Sequence, residues 1–264
     1  MTNPKFQRLA LLTGLEAADA LSRSKAVVFG LGGVGSWCAE ALIRSGLGRL
    51  GIVDSDRVCA TNINRQAQAT SVTIGRFKAE VLRDRLAEIA PEAEITPFNR
   101  VFSRETAHTF GIEDADYVID AIDSLTHKLD LIEYACSAGK TLFSSMGMAQ
   151  KLDPTRLKTG DIWETSGCPL ARLVRSGLRK RGFAGHFTAV YSPERLPLHA
   201  EAGSSCGSAQ CFCPARTACD EDEAVEWCHS KKIINGSAVT VTATAGMILA
   251  GLVIQDVYGR YAHG

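Results

Sequence analysis

A glycine run, Gly30-x-Gly32-Gly33-x-Gly35, follows directly on the apolar stretch Lys25–Phe29. Glycines here let backbone approach a phosphate, because no Cβ holds it off. A helix starting at the end of the run points its N–H groups and the positive end of its dipole at the same place. Asp54 lies 19 residues past Gly35, at the end of a second apolar run, where a carboxylate can accept ribose hydroxyls. A glycine-rich turn that serves packing alone is the alternative. Asp54, Asp56, Asn62, Arg65, Gln66 and Lys78 then form a dense polar set. An arginine fork and a lysine ammonium suit the charge on a triphosphate. Asp120 and Asp123 close a further apolar run, and an aspartate at the carboxyl edge of a sheet can hold Mg2+ on phosphates. Singly, each has a plain structural use: Asn62 or either Asp as a helix cap, Arg65 in a surface ion pair, Lys78 on a solvated face. Jointly, beside a glycine loop, they favour an ATP site.

Two further clusters lie downstream. Arg172, Arg175, Arg179, Lys180 and Arg181 are close together, and spacings of three and four put the first three on one helix face. Such a stripe gives salt-dependent, sequence-tolerant contact with nucleic-acid phosphates; a solvated helix face is the bland reading. His186 and Phe187 beside it could stack on a base. The second cluster is Cys206, Cys211, Cys213, Cys219 and Cys228, within a loop-like stretch at 203–228. A metal or iron–sulfur centre competes there with free thiols on a mobile loop, and Cys206 is a weak candidate for transthiolation.

Composition bounds these readings. The charges cancel, 29 basic against 29 acidic, which excludes a uniformly basic nucleic-acid coat. The cancellation is uneven: residues 1–150 carry −2, residues 151–199 carry +5 and residues 200–264 carry −3. Hydrophobic residues at 45% and charged residues at 22% are ordinary for a globular chain and exclude disorder, collagen and coiled coil. Nine cysteines, an odd number, without a signal-peptide pattern argue for thiols in a reducing compartment, hence a cytoplasmic protein. Peripheral membrane association stays open.

The elements that must position the candidates follow from periodicity. Arg8–Leu21 predicts one helix, with Leu9, Leu12, Leu15 and Ala18 as its apolar face. Strands are expected at Lys25–Phe29, Leu50–Asp54, Glu94–Phe98, Tyr117–Ile122 and Thr141–Ser145. Helices are expected at Ser36–Ser45, Gly75–Ala90 and Leu125–Ala138. Strand and helix alternate, so the fold class is α/β: a Rossmann-like, doubly wound, mostly parallel sheet with an irregular C-terminal extension. Residues 1–25 read as an N-terminal helical segment, 26–150 as a nucleotide-binding core, and 151–264 as a nucleic-acid-facing and C-terminal part, all in one domain. Ile233–Ile254 holds 22 residues without a charge. The threonines Thr240, Thr242 and Thr244 favour a strand or loop followed by a core helix from Ala245 to Tyr258, and no membrane span.

GLGGVGSW at 30–37, VDSDxVxxTNxNRQ at 53–66, the Lys78 of GRFKAE and DAIDS at 120–124 resemble the ubiquitin-activating-enzyme-like adenylyltransferase superfamily. Phe6, Arg8, Leu11, Leu12 and Gly14, with SSMGMAQKLDPTR at 144–156, are similar to its tRNA-dehydratase branch. The likeness covers residues 5–200 and resumes around 233–257. It implies Mg-ATP as cofactor and ATP-dependent dehydration of N6-threonylcarbamoyladenosine at position 37 of tRNA, through an acyl-adenylate, to a cyclic hydantoin. Adenylation of the C-terminal carboxylate of a ubiquitin-like sulfur-carrier protein is the alternative. The likeness assigns Gly30, Gly32, Gly33 and Gly35 to the phosphates and Asp54 to the ribose. Asn62, Arg65 and Lys78 fall to the triphosphate, Asp123 to magnesium, and Arg8 to a neighbouring protomer's site in a homodimer. A monovalent cation and a cysteine-desulfurase or sulfur-acceptor system are further partners it admits. The cysteine cluster departs from the pattern, because C-x4-C-x-C-x5-C-x8-C contains none of the CxxC pairs that hold zinc in sulfur-carrier activators.

Overall fold

The computed structural model describes residues 3–196 and 235–261. A short 3-10 turn, Pro4–Phe6, leads into α1 (Gln7–Thr13) and α2 (Leu15–Arg23). The single helix expected over 8–21 is broken at Gly14, whose φ of 87° only glycine adopts without strain. The break changes which face is buried: Ala17, Ala20 and Leu21 go inside, while Leu11, Leu12 and Leu15 stand exposed. The apolar face read from sequence was therefore wrong for Leu12 and Leu15.

The sheet is built from β1 (Lys25–Phe29), β2 (Arg49–Val53), β3 (Glu94–Phe98), β4 (Tyr117–Asp120), β5 (Thr141–Ser145), β6 (Lys158–Asp161) and β7 (Thr188–Tyr191). Its order is β3-β2-β1-β4-β5-β7-β6, parallel throughout except for the antiparallel β6–β7 pair. Both faces are covered, so β1 is apolar on both: Ala26 and Val28 enter one core, Val27 and Phe29 the other. Pro97 is tolerated in β3 because that strand lies at the edge.

One face is covered by α2, α3 (Gly35–Arg44), α4 (Lys78–Ile89) and α7 (Val239–Tyr261); the other lies under α5 (Leu125–Ser137) and α6 (Pro169–Lys180). The expected helix from Gly75 starts only at Lys78, after Gly75 turns the chain at φ 88°.

α7 corrects a second expectation, since residues 240–244 are helix and not strand or loop. The threonine hydroxyls bond back into the helix, Thr242 Oγ1 donating to Ala238 O at 3.2 Å and Thr244 Oγ1 to Thr240 O at 2.6 Å. By length and composition α7 could cross a membrane. Its buried residues Val241, Ala245, Leu249, Val253 and Val257 instead form one stripe in the core. A Cβ at Gly246 would stand 2.4 Å from Val34 O, so α7 lies against the start of α3 as only glycine allows.

Candidate active site

The sheet order reverses between β1 and β4, and ligands bind in the crevice that opens at the carboxyl ends of such strands. The glycine loop sits there. Gly30 turns at φ 85°, and a Cβ on it would come 2.7 Å from Ala121 O. One on Gly35 would overlap Gly30 O, and one on Gly33 would meet Thr242 of α7 at 2.9 Å and Arg65 Cγ at 3.1 Å. Gly32 faces open space. No side chain caps α3, so its first N–H groups are left for a ligand.

The loop is held from behind. Ser36 Oγ donates to Gly32 O at 2.7 Å and accepts from the Ala67 N–H at 3.1 Å. Gln68 Nε2 donates to Leu31 O at 2.9 Å, and Trp37 Nε1 to Arg65 O at 2.9 Å. Sequence alone gave no role to Ser36, Trp37 or Gln68. The signal was there in their place directly after the glycines and the NRQ run. The side-chain carbonyls of Gln66 and Gln68 are buried without a donor among the described residues, so the cradle has acceptor capacity to spare.

Asp54 follows β2. Its Oδ2 accepts the Leu31 N–H at 2.7 Å, and its Oδ1 accepts the Asp56 N–H at 2.8 Å and stands 3.6 Å from Lys78 Nζ. A carboxylate has about four acceptor positions, so room for a ribose hydroxyl remains. Lys78, at the start of α4, is buried and donates to Asp56 Oδ2 at 2.7 Å. Burial works against its ammonium, but the carboxylates of Asp54 and Asp56 outweigh it and hold the pKa above the ordinary lysine value. Burial pushes the Asp54 carboxyl up, against the pull of Lys78. Asn62 accepts the Cys59 N–H at 3.0 Å, which fixes the turn before Arg65.

Arg65 donates to Thr61 O at 2.8 Å and Asn64 Oδ1 at 2.9 Å. Burial lowers its pKa, while the charge of Asp123 works in the other direction. The same Asp123 acts on Lys78. Three groups far apart in sequence thus face one another at one crevice: two cations able to take phosphate charge, and an exposed carboxylate at the mouth. One carboxylate with phosphate oxygens is a normal Mg2+ environment.

Other expected site residues fall elsewhere. Asp120 is fully buried and turned inward. Its Oδ2 accepts from Lys128 Nζ at 2.6 Å and from Ser144 Oγ at 2.6 Å, and its Oδ1 takes the Ile122 N–H at 3.1 Å. It shapes the loop that carries Asp123 and does not face a ligand. Arg181 is also corrected: it pairs with Asp130 at 2.7 Å and Glu133 at 2.9 Å, so its charge is already met. Arg172, Arg179 and Lys180 are exposed on α6 as the spacing required, and Arg179 lies over the Trp163 ring. Phe187 is a core residue and cannot stack on a base; His186 bonds Asp161 at 2.9 Å. Arg8 is exposed on α1, whose neighbours Phe6–Gly46 and Lys5–Glu92 place it at the amino edge of the sheet, opposite the glycine loop. Cys206, Cys211, Cys213, Cys219 and Cys228 lie outside the described residues. Among those described, no three His, Cys, Asp or Glu side chains converge as a metal site.

A doubly wound sheet with a glycine loop at its switch point, flanked by a buried lysine and a half-buried arginine, defines a nucleotide-binding α/β protein. The chain belongs to the ThiF family, whose model matches residues 6–260. It is 36% identical over 252 residues to a tRNA threonylcarbamoyladenosine dehydratase of Bacillus subtilis, covering 96% of this chain and 94% of that one. The dehydratase of Escherichia coli is 32% identical over 267 residues, covering 98% and 95%. The crystal structure of the E. coli tRNA N6-threonylcarbamoyladenosine dehydratase in complex with ATP is similar with a TM-score of 0.80 at 30% identity, covering 98% of this chain and 96% of that one.

Proposed function

We infer that this chain is an ATP-dependent tRNA threonylcarbamoyladenosine dehydratase. The observation that carries this reading is its likeness, across almost the whole of both chains, to the dehydratases of B. subtilis and E. coli. The crevice supplies the chemistry. The free carboxylate of the threonylcarbamoyl group is a poor electrophile. It attacks the α-phosphorus of ATP, pyrophosphate leaves, and an acyl-adenylate results. The carbamoyl nitrogen then attacks the acyl carbon, loses its proton and expels AMP, closing the hydantoin ring. Closure is intramolecular, so correct orientation can supply on the order of 7–11 kcal/mol of the barrier. No protein nucleophile is needed. Lys78 and Arg65 take the negative charge that develops as pyrophosphate departs. Asp54 holds the ribose, and Asp123 holds Mg2+, which would neutralise part of the triphosphate charge.

The exposed basic face of α6 contacts tRNA phosphates. The chain works as a cytoplasmic homodimer in which Arg8 reaches the partner's nucleotide. Leu11 and Leu12, 80% and 78% exposed beside Arg8, supply an apolar surface for that contact. An inactive Arg8→Ala chain mixed with an inactive Lys78→Ala chain should then recover part of the activity, because one of the two mixed sites is intact.

The test is to incubate the protein with ATP, Mg2+ and tRNA bearing threonylcarbamoyladenosine, and weigh the nucleosides after digestion. Loss of one water, abolished by Arg65→Ala or Asp123→Ala, is expected. No mass change, with AMP formed only when a small carrier protein is added, would move the reading to a sulfur-carrier activator.

A further inference from the structure

At the head of α6 lies a cavity of about 230 Å³ lined by Gly167, Cys168, Pro169, Arg172, Arg175 and Arg195. It is smaller than the roughly 300–1,000 Å³ of a typical organic-ligand cleft, so it suits a small group. Three arginines in so small a space repel one another unless an anion sits between them. Other arginines of this molecule share acidic partners: Arg44 and Arg85 share Glu40, and Arg104 and Arg181 share Asp130 and Glu133. Among the described residues, none of Arg172, Arg175 and Arg195 forms an ion pair.

Two of the three guanidinium groups, those of Arg175 and Arg195, are held in place by neutral acceptors. Arg175 donates to the hydroxyl of the buried Thr165, which itself donates to Ile162 O at 2.8 Å. Arg195 Nε donates to Gly167 O at 3.2 Å. Gly167 has a φ of 74°, and a Cβ there would stand 2.7 Å from Pro193, so the segment after β7 that carries Arg195 is seated tightly against the head of the helix. No side chain caps α6, because its N-cap residue is the buried Cys168 and its next residue is Pro169. The first-turn N–H groups therefore add to the arginines as donors.

The place of the pocket argues for its ligand. A Cβ on Gly147, just past β5, would stand 3.4 Å from Leu170 Cβ and 3.9 Å from Cys168 Sγ. The head of α6 thus lies at the carboxyl edge of the sheet, beside β5, and β5 is next to β4 of the nucleotide crevice. An anion bound here is on the same edge of the sheet as the nucleotide crevice.

We propose that this pocket is the receptor for one backbone phosphate of the tRNA substrate, and that Arg195, which lies outside α6, is its third arginine. The proposal rests on the tRNA reading above. A single phosphate gripped by three arginines registers the tRNA and sets where the modified base falls along the sheet edge.

The test is fluorescence anisotropy of the full chain with tRNA across a salt series, with ATP affinity as the check on folding. Each phosphate contact contributes about 0.7–0.9 to the slope of log affinity against log salt. Arg172→Ala/Arg175→Ala/Arg195→Ala removes the whole receptor and is expected to lower that slope by about this one contact, with ATP affinity unchanged. Arg195→Ala alone leaves two arginines on the phosphate and is expected to weaken tRNA binding with a smaller change of slope. Arg195→Lys should recover only part of that affinity, because the fork is lost while the charge is kept. A triple-variant loss near three contacts would overturn the shared receptor, and an Arg195→Ala chain with wild-type tRNA affinity would overturn its place in the pocket. Dehydration of threonylcarbamoyladenosine by the wild-type chain is measured separately. If it fails while the slope pattern holds, the activity falls and the phosphate receptor stands.

Discussion

Two buried lysines stand at the carboxyl edge of this sheet, each against an aspartate that follows or ends a strand. Lys128 meets Asp120 with both side chains fully buried and with Ser144 completing the cluster. Lys78 meets Asp54 and Asp56, but the Asp56 side chain is 27% exposed and the exposed Asp123 acts on the same lysine. The chemistry is the same in both places, and the surroundings differ. A sealed pair whose charges meet only each other and fixed neighbours can only hold backbone in place. An open pair keeps a charge to offer, which is what a phosphate needs.

The largest effect is expected at the sealed pair. Lys128→Met strands a buried carboxylate and should cost about 3–5 kcal/mol of stability in urea unfolding. Lys128→Met/Asp120→Asn should recover much of that loss. A Lys128→Met chain with wild-type stability and lost ATP binding would erase the distinction between the two lysines. Next is the open pair. Lys78→Ala should lower the rate of dehydration by about 10²–10³, the usual cost of losing one preorganised charge-stabilising donor. Nucleoside mass spectrometry under single-turnover conditions reads it, and the melting temperature should move far less than for Lys128→Met.

A third buried charge tests the contrast away from the site. Glu40 is 4% exposed and bridges Arg44 at 2.9 Å and Arg85 at 2.6 Å. Burial alone would raise its carboxyl, yet the two arginines hold it below the ordinary glutamate value. The stability it gives is therefore complete above the ordinary pKa of about 4.3 and is lost as pH falls through the lower folded value. Glu40→Gln should cost about 1–3 kcal/mol at neutral pH. The gap from wild type should close at acidic pH; a gap independent of pH would mean that shape, not charge, is what Glu40 contributes. The smallest effect is expected at Arg181, whose exposed ion pairs should be worth about 0–1 kcal/mol. Arg181→Ala should also leave tRNA affinity nearly unchanged, in contrast with Arg195→Ala.

Much of this is legible in the amino-acid sequence. β1, the glycine loop, α3 and β2 were readable because a strand buried on both faces is an unbroken apolar run and because glycines have few other reasons to cluster. Arg65, Lys78 and Asp123 were readable through their motifs. The N-terminal helix was misread because Gly14 resets the helical phase and moves Leu12 and Leu15 outward. Residues 240–244 were misread because threonines that bond their own helix look, in sequence, like a strand. Asp120 was misassigned because DAID does not say which aspartate turns inward; Lys128, eight residues on, decides it. Arg195 was invisible, since nothing near it in sequence connects it to the arginines of α6.

The sequence by itself determined the α/β class, the glycine loop and the set of charged groups gathered around it, because these depend on periodicity and residue type over short spans. Tertiary structure alone decided which charges were spent and which were kept. Whether an aspartate meets a lysine eight residues away, or an arginine finds a carboxylate on another helix, depends on how the sheet and helices pack, and short-range spacing carries no record of that.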